Sequence, residues 1–254
     1  MTRHHLNIIG FIINCTWISI FFSGTPMMWI LMGIASLLFL IFLSLGILLP
    51  NRNYFLTNTT RLNSDSVLLT FDDGPHEQLT PQVLETLRRH NIGALFFVIG
   101  KQAEEHPEII QQILEAGHLI GNHTQTHPLM FAALRQDSVE KEIGLCDNTL
   151  IAQGIHPGTY FRPPIGYTNP RIARAVKKFK KRVIGWSLRS FDSVLKEEPK
   201  LLERVSSRIK PGDIVLFHDN LPQTEAILER FITQAKKNGI KFAQPKDLKT
   251  IFRW

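Results

Sequence analysis

At 254 residues and 44% hydrophobic, the chain has ample apolar material for one large or two small packed domains. Its two cysteines, Cys15 and Cys146, exclude a disulfide framework. The net charge of +7 forms no nucleic-acid-binding stripe, because much of it sits in Lys177-Lys178 and Lys180-Lys181-Arg182 at a predicted helix end, where cations complement the helix dipole. No nucleic acid partner is expected.

Two uncharged runs come first, Leu6 to Ser23 and Met27 to Leu49, separated by Gly24-Thr25-Pro26. The second is long enough to cross a bilayer as a helix. Asn7, Asn14 and Thr16 lower the apolarity of the first, which leaves an interfacial or signal-like segment open, although Phe22-Ser23-Gly24 is a poor small-x-small cleavage site. Residues 1–50 are expected as a membrane anchor of one or two transmembrane helices, with membrane lipid as partner. Arg3 before the first run, and Arg52 and Arg61 after the second, would hold both ends of a two-helix hairpin in the cytoplasm. A single span by the second run would instead leave the large domain outside.

Residues 51–65 are polar and without period, and are expected as a linker to a domain over 66–254. There strands and helices alternate. Val67 to Phe71 predicts a buried strand that ends in Asp72-Asp73-Gly74-Pro75. A helix over Pro81 to His90 buries Val83, Leu84 and Leu87. Ala94 to Ile99, apolar throughout, predicts a strand covered on both faces. Pro107 opens a helix striped by Ile109, Ile110, Ile113 and Leu114, and Gly117 ends it. Leu119-Ile120-Gly121 then leads to His123.

A helix near Asp137 to Ala152 carries Val139, Ile143, Cys146 and Leu150 on one face, which makes Cys146 a buried structural thiol. Strands at Thr159 to Phe161, Val183 to Trp186 and Ile214 to Phe217 alternate with helices opened by Asn169-Pro170 and Pro199. A last helix runs near Gln223 to Lys237, with a short strand near Lys241-Phe242. The alternation implies a parallel sheet with helices outside, either open and doubly wound or closed as a barrel.

The residues past the strand ends carry the chemistry: Asp72 and Asp73, His123 and His127, Arg162-Pro163-Pro164, Trp186, and His218-Asp219. In parallel α/β folds, ligands bind at those ends. Adjacent carboxylates cost free energy unless something compensates them, and a cation would. The spacing of His123 and His127 places two imidazoles on one side of a helical turn, a geometry that suits a divalent metal. His76, His90, His106, His118 and His156 read as structural or surface residues, with His76 nearest the site.

Thr70-Phe71-Asp72-Asp73-Gly74-Pro75, His123-Thr-Gln-Thr-His127, Phe161-Arg162-Pro163-Pro164 and Leu216-Phe217-His218 together resemble, in order, the motifs of the polysaccharide deacetylase (NodB-homology) family. The resemblance implies a distorted (β/α) barrel and metal-dependent hydrolysis of N-acetyl groups on a cell-envelope glycan such as peptidoglycan. It implies Asp73, His123 and His127 as ligands of a divalent metal, usually Zn2+. Asp72 would be the general base and His218 the acid that protonates the departing amine. Arg162 would pair with Asp72 and aim it. The backbone N–H of Ile165 would serve as an oxyanion donor, with Pro163, Ile165 and Trp186 at the substrate.

Two departures from the family pattern stand out. An aromatic commonly follows the Pro-Pro pair, where this chain has Ile165. A motif often written Asp-x-x-Asp-Trp reads Arg189-Ser190-Phe191-Asp192-Ser193, so a cation replaces the Asp expected to support His218, unless Asp192 or Asp219 compensates. The resemblance places the protein at a bacterial inner membrane with its domain outside the cytoplasm. Two other readings stand beside it: a deacylase of a lipid-linked sugar at the membrane surface, and a non-catalytic, membrane-anchored glycan-binding module.

Overall fold

The structure, a computed structural model, describes residues 2–49, 52–155, 159–248 and 250–252, so the expectation for His156 lies outside the described residues. The two apolar runs form α1 (Arg3–Phe22) and α2 (Pro26–Leu48), folded back on each other with the Phe11 and Phe39 rings 4.8 Å apart. Both are long and apolar enough to cross a membrane. Trp17, Ile20, Trp29 and Leu37 are each more than half exposed along them, a surface that water does not stabilise.

The stretch expected as a linker is drawn into the sheet. Its strand β1 (Asn58–Thr59) pairs with a strand near residue 183, and Phe55 and Leu62 are buried. The remaining strands are β2 (Ser66–Asp72), β3 (Ala94–Val98), β4 (Leu119–Asn122), β5 (Tyr160–Phe161), β6 (Arg182–Ile184), β7 (Leu188–Arg189), β8 (Ile214–His218) and β9 (Lys241–Phe242). Between them lie α3 (Leu79–His90), α4 (Gly100–Glu105), α5 (Pro107–Glu115), α6 (Gln136–Ala152), α7 (Pro170–Lys178), α8 (Glu198–Ser206) and α9 (Pro222–Lys237). Sequence periodicity finds all of these except α4 and β7, which are too short to show a period. The Asn169 side chain caps α7 by accepting from the Ile172 N–H at 2.9 Å.

The strand order is β1-β6-β5-β4-β3-β2-β8-β7, with β9 also on β2, and all these pairings are parallel. Strands β6 and β7 stand near opposite ends of that order, yet only residues 185–187 join them. Four Cα–Cα steps reach at most about 15 Å, whereas six strand spacings in a flat sheet would take roughly 29 Å. The sheet therefore curls, and the expectation of a distorted (β/α) barrel rather than an open doubly wound sheet is met.

Side-chain alternation divides each central strand between two cores. Val67, Leu69 and Phe71 of β2, Ala94, Phe96 and Val98 of β3, and Val215 and Phe217 of β8 pack outward under the helices. Leu68, Leu95, Phe97 and Ile214 point into the barrel. The inward parity of β2 continues through Thr70 to Asp72, and that of β8 through Leu216 to His218. Because Asp72 pairs in register with His218, both side chains emerge at one level of the barrel mouth.

The outer core depends on Phe217, which is fully buried, with ring centroids 6.1 Å from Phe71 and 5.6 Å from Phe231. Phe217→Ala is expected to destabilise the fold by about 3–5 kcal/mol, measured by chemical denaturation of the full chain.

Candidate active site

The barrel interior beneath the mouth is occupied by a cation. Arg162 follows β5 and is fully buried, with its guanidinium 4.2 Å from the centroid of the Phe97 ring. Each of its three nitrogens donates: Nε to the Ile184 carbonyl at 2.9 Å, Nη2 to the Gly185 carbonyl at 2.7 Å, and Nη1 to Thr70 Oγ1 at 2.9 Å and to Asp72 Oδ1 at 2.6 Å. The Thr70 hydroxyl in turn donates to the Val215 carbonyl. One oxygen of Asp72 is thus fixed from below, which leaves Oδ2 at the mouth, 3.7 Å from His123 Nε2.

Asp73 turns the other way. Its left-handed backbone (φ 73°) reverses the chain after β2 and brings Oδ1 within 3.4 Å of both His123 Nε2 and His127 Nε2. Gly74 follows because a Cβ there would lie 2.2 Å from the Asp219 carboxylate. Burial would raise the Asp73 pKa. The imidazoles of His123, His127 and His218, when charged, instead hold it well below the usual carboxylate range. Asp219 lacks such cations, and burial pushes it up to about 7.

The two histidines reach Asp73 from a loop, not from the helical turn their spacing suggested. Thr124 (φ 71°) and His127 (φ 50°) are left-handed, and Asn122 at the end of β4 fastens the turn by accepting from the Thr124 N–H at 2.8 Å. The His127 N–H bonds Thr124 Oγ1 at 3.1 Å. Nδ1 of His123 lies 2.7 Å from the Arg162 carbonyl oxygen, which can only accept, so the proton sits on Nδ1 and the Nε2 lone pair faces Asp73.

Asp73 Oδ1 is buried without a hydrogen-bond partner among the described residues, and one ligand atom from each of Asp73, His123 and His127 falls within 4.8 Å of the others. A tetrahedron with bonds of about 2.0–2.1 Å has edges near 3.4 Å. These three residues fit a divalent cation.

His218 faces the same cavity, with Nε2 3.9 Å from Asp73 Oδ2. The departure at Arg189 is answered by Asp192. Its Oδ1 lies 2.7 Å from His218 Nδ1, and its Oδ2 accepts from the His218 N–H and from Thr224 Oγ1, each at 2.7 Å. Burial would lower the His218 pKa, but the Asp192 hydrogen bond and charge, with help from Asp72 and Asp73, raise it to about 9. Arg189 stacks instead on Phe191, its guanidinium 4.8 Å from the centroid of that ring.

The five residues Asp72, Asp73, His123, His127 and His218 line one cleft of about 250 Å3, together with Ile165, Trp186, Arg189 and Leu129. Ile165 is left-handed (φ 61°) and exposed, and Trp186 packs against Gly166, where a Cβ would meet it at 2.3 Å. Pro163 is buried and does not line the cleft; its carbonyl accepts the Gly166 N–H. His76 also lies outside it, accepting at Nδ1 from the Gln78 and Leu79 N–H groups before α3. Leu129, 75% exposed at the rim, was not singled out from sequence, since nothing in its neighbourhood distinguishes it from an ordinary loop residue.

The sequence profile of the polysaccharide deacetylase family matches residues 59–184. A peptidoglycan-N-acetylglucosamine deacetylase of Bacillus cereus is 32% identical over 191 residues, 73% of this chain and 89% of the relative. The chain belongs to the polysaccharide deacetylase family. As a member it is a hydrolase of the deacetylase type. Among solved structures, this deacetylase is similar to a family 4 carbohydrate esterase from Streptomyces lividans in complex with acetate (29% identity, TM-score 0.65, covering 73% of this chain and 95% of that one). It is also similar to a CE4 family pseudoenzyme from Bacillus anthracis (28% identity, TM-score 0.69, covering 76% and 68%).

The Arg162–Asp72 pair makes this deacetylase sensitive at its centre. Arg162→Met leaves a carboxylate in the barrel without its cation and should cost about 3–5 kcal/mol. Adding Asp72→Asn to it should restore part of that stability, read by denaturant unfolding of the single and double variants.

Proposed function

We propose that the protein is a membrane-anchored, metal-dependent deacetylase of an N-acetylated cell-envelope glycan of the peptidoglycan kind. The observation that carries this is the convergence of an unsatisfied carboxylate oxygen, two imidazole nitrogens, an Arg-held carboxylate and an Asp-held imidazole on one cleft. Residues 1–50 form the anchor and 66–254 the catalytic domain, extended at its edge by β1 from the expected linker. The domain stands outside the cytoplasm at the bacterial inner membrane, where such a glycan is found.

Asp73, His123 and His127 hold the divalent ion, and Zn2+ suits two imidazoles and a carboxylate with positions left open. When bound, the ion supplies Lewis acidity that acidifies water and polarises the acyl carbonyl. Asp72, fixed through Oδ1 by Arg162, takes the proton of the attacking water at Oδ2. Water oxygen bonds to the acyl carbon and the C–N bond breaks. His218 delivers its Nε2 proton to the departing sugar nitrogen, while Asp192 on Nδ1 stabilises the imidazolium. The Ile165 N–H is the backbone donor to the developing oxyanion, and Trp186 forms a wall for the sugar ring.

Acetate release from N-acetylglucosamine oligomers is expected to stop on chelation and to return with Zn2+. Asp72→Asn should lower kcat roughly 10^2–10^4-fold, with KM little changed. Persistence of activity in the chelated enzyme would sink the metal assignment. The pH profile gives a further check. His218 must be protonated to act as acid, so activity falls as pH rises through its pKa. Asp192→Asn removes the group that raises that pKa, and the basic limb of kcat should move to lower pH.

A further inference from the structure

A second cavity, larger than the catalytic cleft, opens beside it. This groove of about 830 Å3 is bounded at one end by Leu48 and Leu49, at the domain-facing end of α2. At the other end it shares Trp186 and Arg189 with the cleft, so the two are continuous. Six cations line it: Arg52, Arg61, Arg189, Arg204, Arg208 and Lys210. Asp213 is the carboxylate among the lining residues, and it is taken up by Arg61 at 2.7 Å and by Ser187 Oγ at 2.7 Å.

The other five cations have no acidic partner among the described residues. Arg189 Nε is buried without a hydrogen-bond acceptor among the described residues. Arg204 and Arg189 stack their guanidiniums on Phe191, at 4.2 and 4.8 Å from its ring centroid. Arg204 donates to the backbone carbonyls of Ser190 and Arg189. Burial, with the charges of Arg208 and Arg189, lowers its pKa. Like charges held this close cost free energy in the free protein, and an anion with several acceptor oxygens repays it, with guanidiniums matched to phosphate geometry.

We propose that this groove binds the phosphate of a lipid-linked sugar, so that the substrate of the deacetylase is an N-acetylated sugar carried on a membrane-embedded isoprenoid phosphate. The inference rests on the deacetylase reading above and names its substrate. Leu48 and Leu49 put the groove where α2 would leave the bilayer, which is the depth at which a lipid phosphate lies. A lipid tail then runs along the hairpin, the phosphate sits among the arginines, and the sugar passes Trp186 into the cleft. A neutral soluble sugar polymer offers no charge to meet five cations that, among the described residues, lack an acidic partner.

The test uses the full chain in phosphatidylcholine nanodiscs and two substrates, a polyprenyl-phosphate-linked N-acetylglucosamine and soluble N-acetylglucosamine oligomers. The variant Arg52→Gln/Arg208→Gln/Lys210→Gln changes three groove residues that do not line the cleft. The expected result is a loss of roughly tenfold or more in kcat/KM on the lipid-linked sugar, with turnover of oligomers kept within about twofold. Inorganic phosphate and phosphatidylglycerol, added separately, should inhibit the lipid-linked reaction only weakly.

Several results would overturn the assignment. Unchanged lipid-linked turnover in the variant would, and so would equal loss on both substrates. Strong inhibition by phosphatidylglycerol or by inorganic phosphate would make the groove a general headgroup or anion site. Oligomer turnover without any lipid-linked turnover removes this inference and leaves the deacetylase standing. Absence of acetate release from both substrates removes the two together.

Discussion

Everything at the barrel mouth is referred to one buried ion pair, Arg162 with Asp72. A guanidinium in the interior of a curled sheet is costly unless it is paired and hydrogen-bonded, and here two carbonyls, a hydroxyl and a carboxylate accept from its three nitrogens. The consequence is positional. Carbonyls from residues 184 and 185 hold the cation at the point where the chain crosses between the sheet edges, so the same residue that aims Asp72 also ties the crossing to β2. Its own carbonyl fixes the His123 tautomer, which turns Nε2 toward Asp73. One side chain and its backbone thus set a carboxylate at the end of β2 and an imidazole in the loop after β4.

The neighbouring aspartates separate their tasks by backbone geometry. Asp72 is the last inward residue of β2, and Asp73 is the first residue past it, thrown outward by a left-handed turn. Two adjacent acids would repel if they shared one environment. One instead meets a buried cation and the other meets two imidazoles, and the charge is compensated twice within a single turn of chain.

Much of this was legible in the sequence because it rests on local signals. The apolar run ending in Asp72-Asp73-Gly74-Pro75, the Pro-opened helices and the acids, imidazoles and arginine past the strand ends all register in composition and spacing. What was not legible depends on tertiary placement. Strand β7 is two residues long and exists because residues 185–187 cross the barrel. The stretch around Phe55 read as a linker because its polar residues outnumber the apolar ones that anchor it. The spacing of His123 and His127 suggested a helix, whereas Asn122 and Thr124 build a turn that serves the same convergence. At residues 189–193, the substitution that brings Arg189 looked like a loss for His218. Asp192 carries the support, and the arginine is released to face a groove shared with the end of α2.

The central claim is that Asp73, His123 and His127 form a metal centre. Elemental analysis of the purified full chain tests it most directly. The account predicts about one divalent ion per chain in the wild type, with zinc favoured by the ligand set, and its loss in His123→Ala while the fold persists by circular dichroism. Wild-type protein that binds no divalent ion even when supplied with zinc, or a His123→Ala variant that retains a full complement, would contradict it.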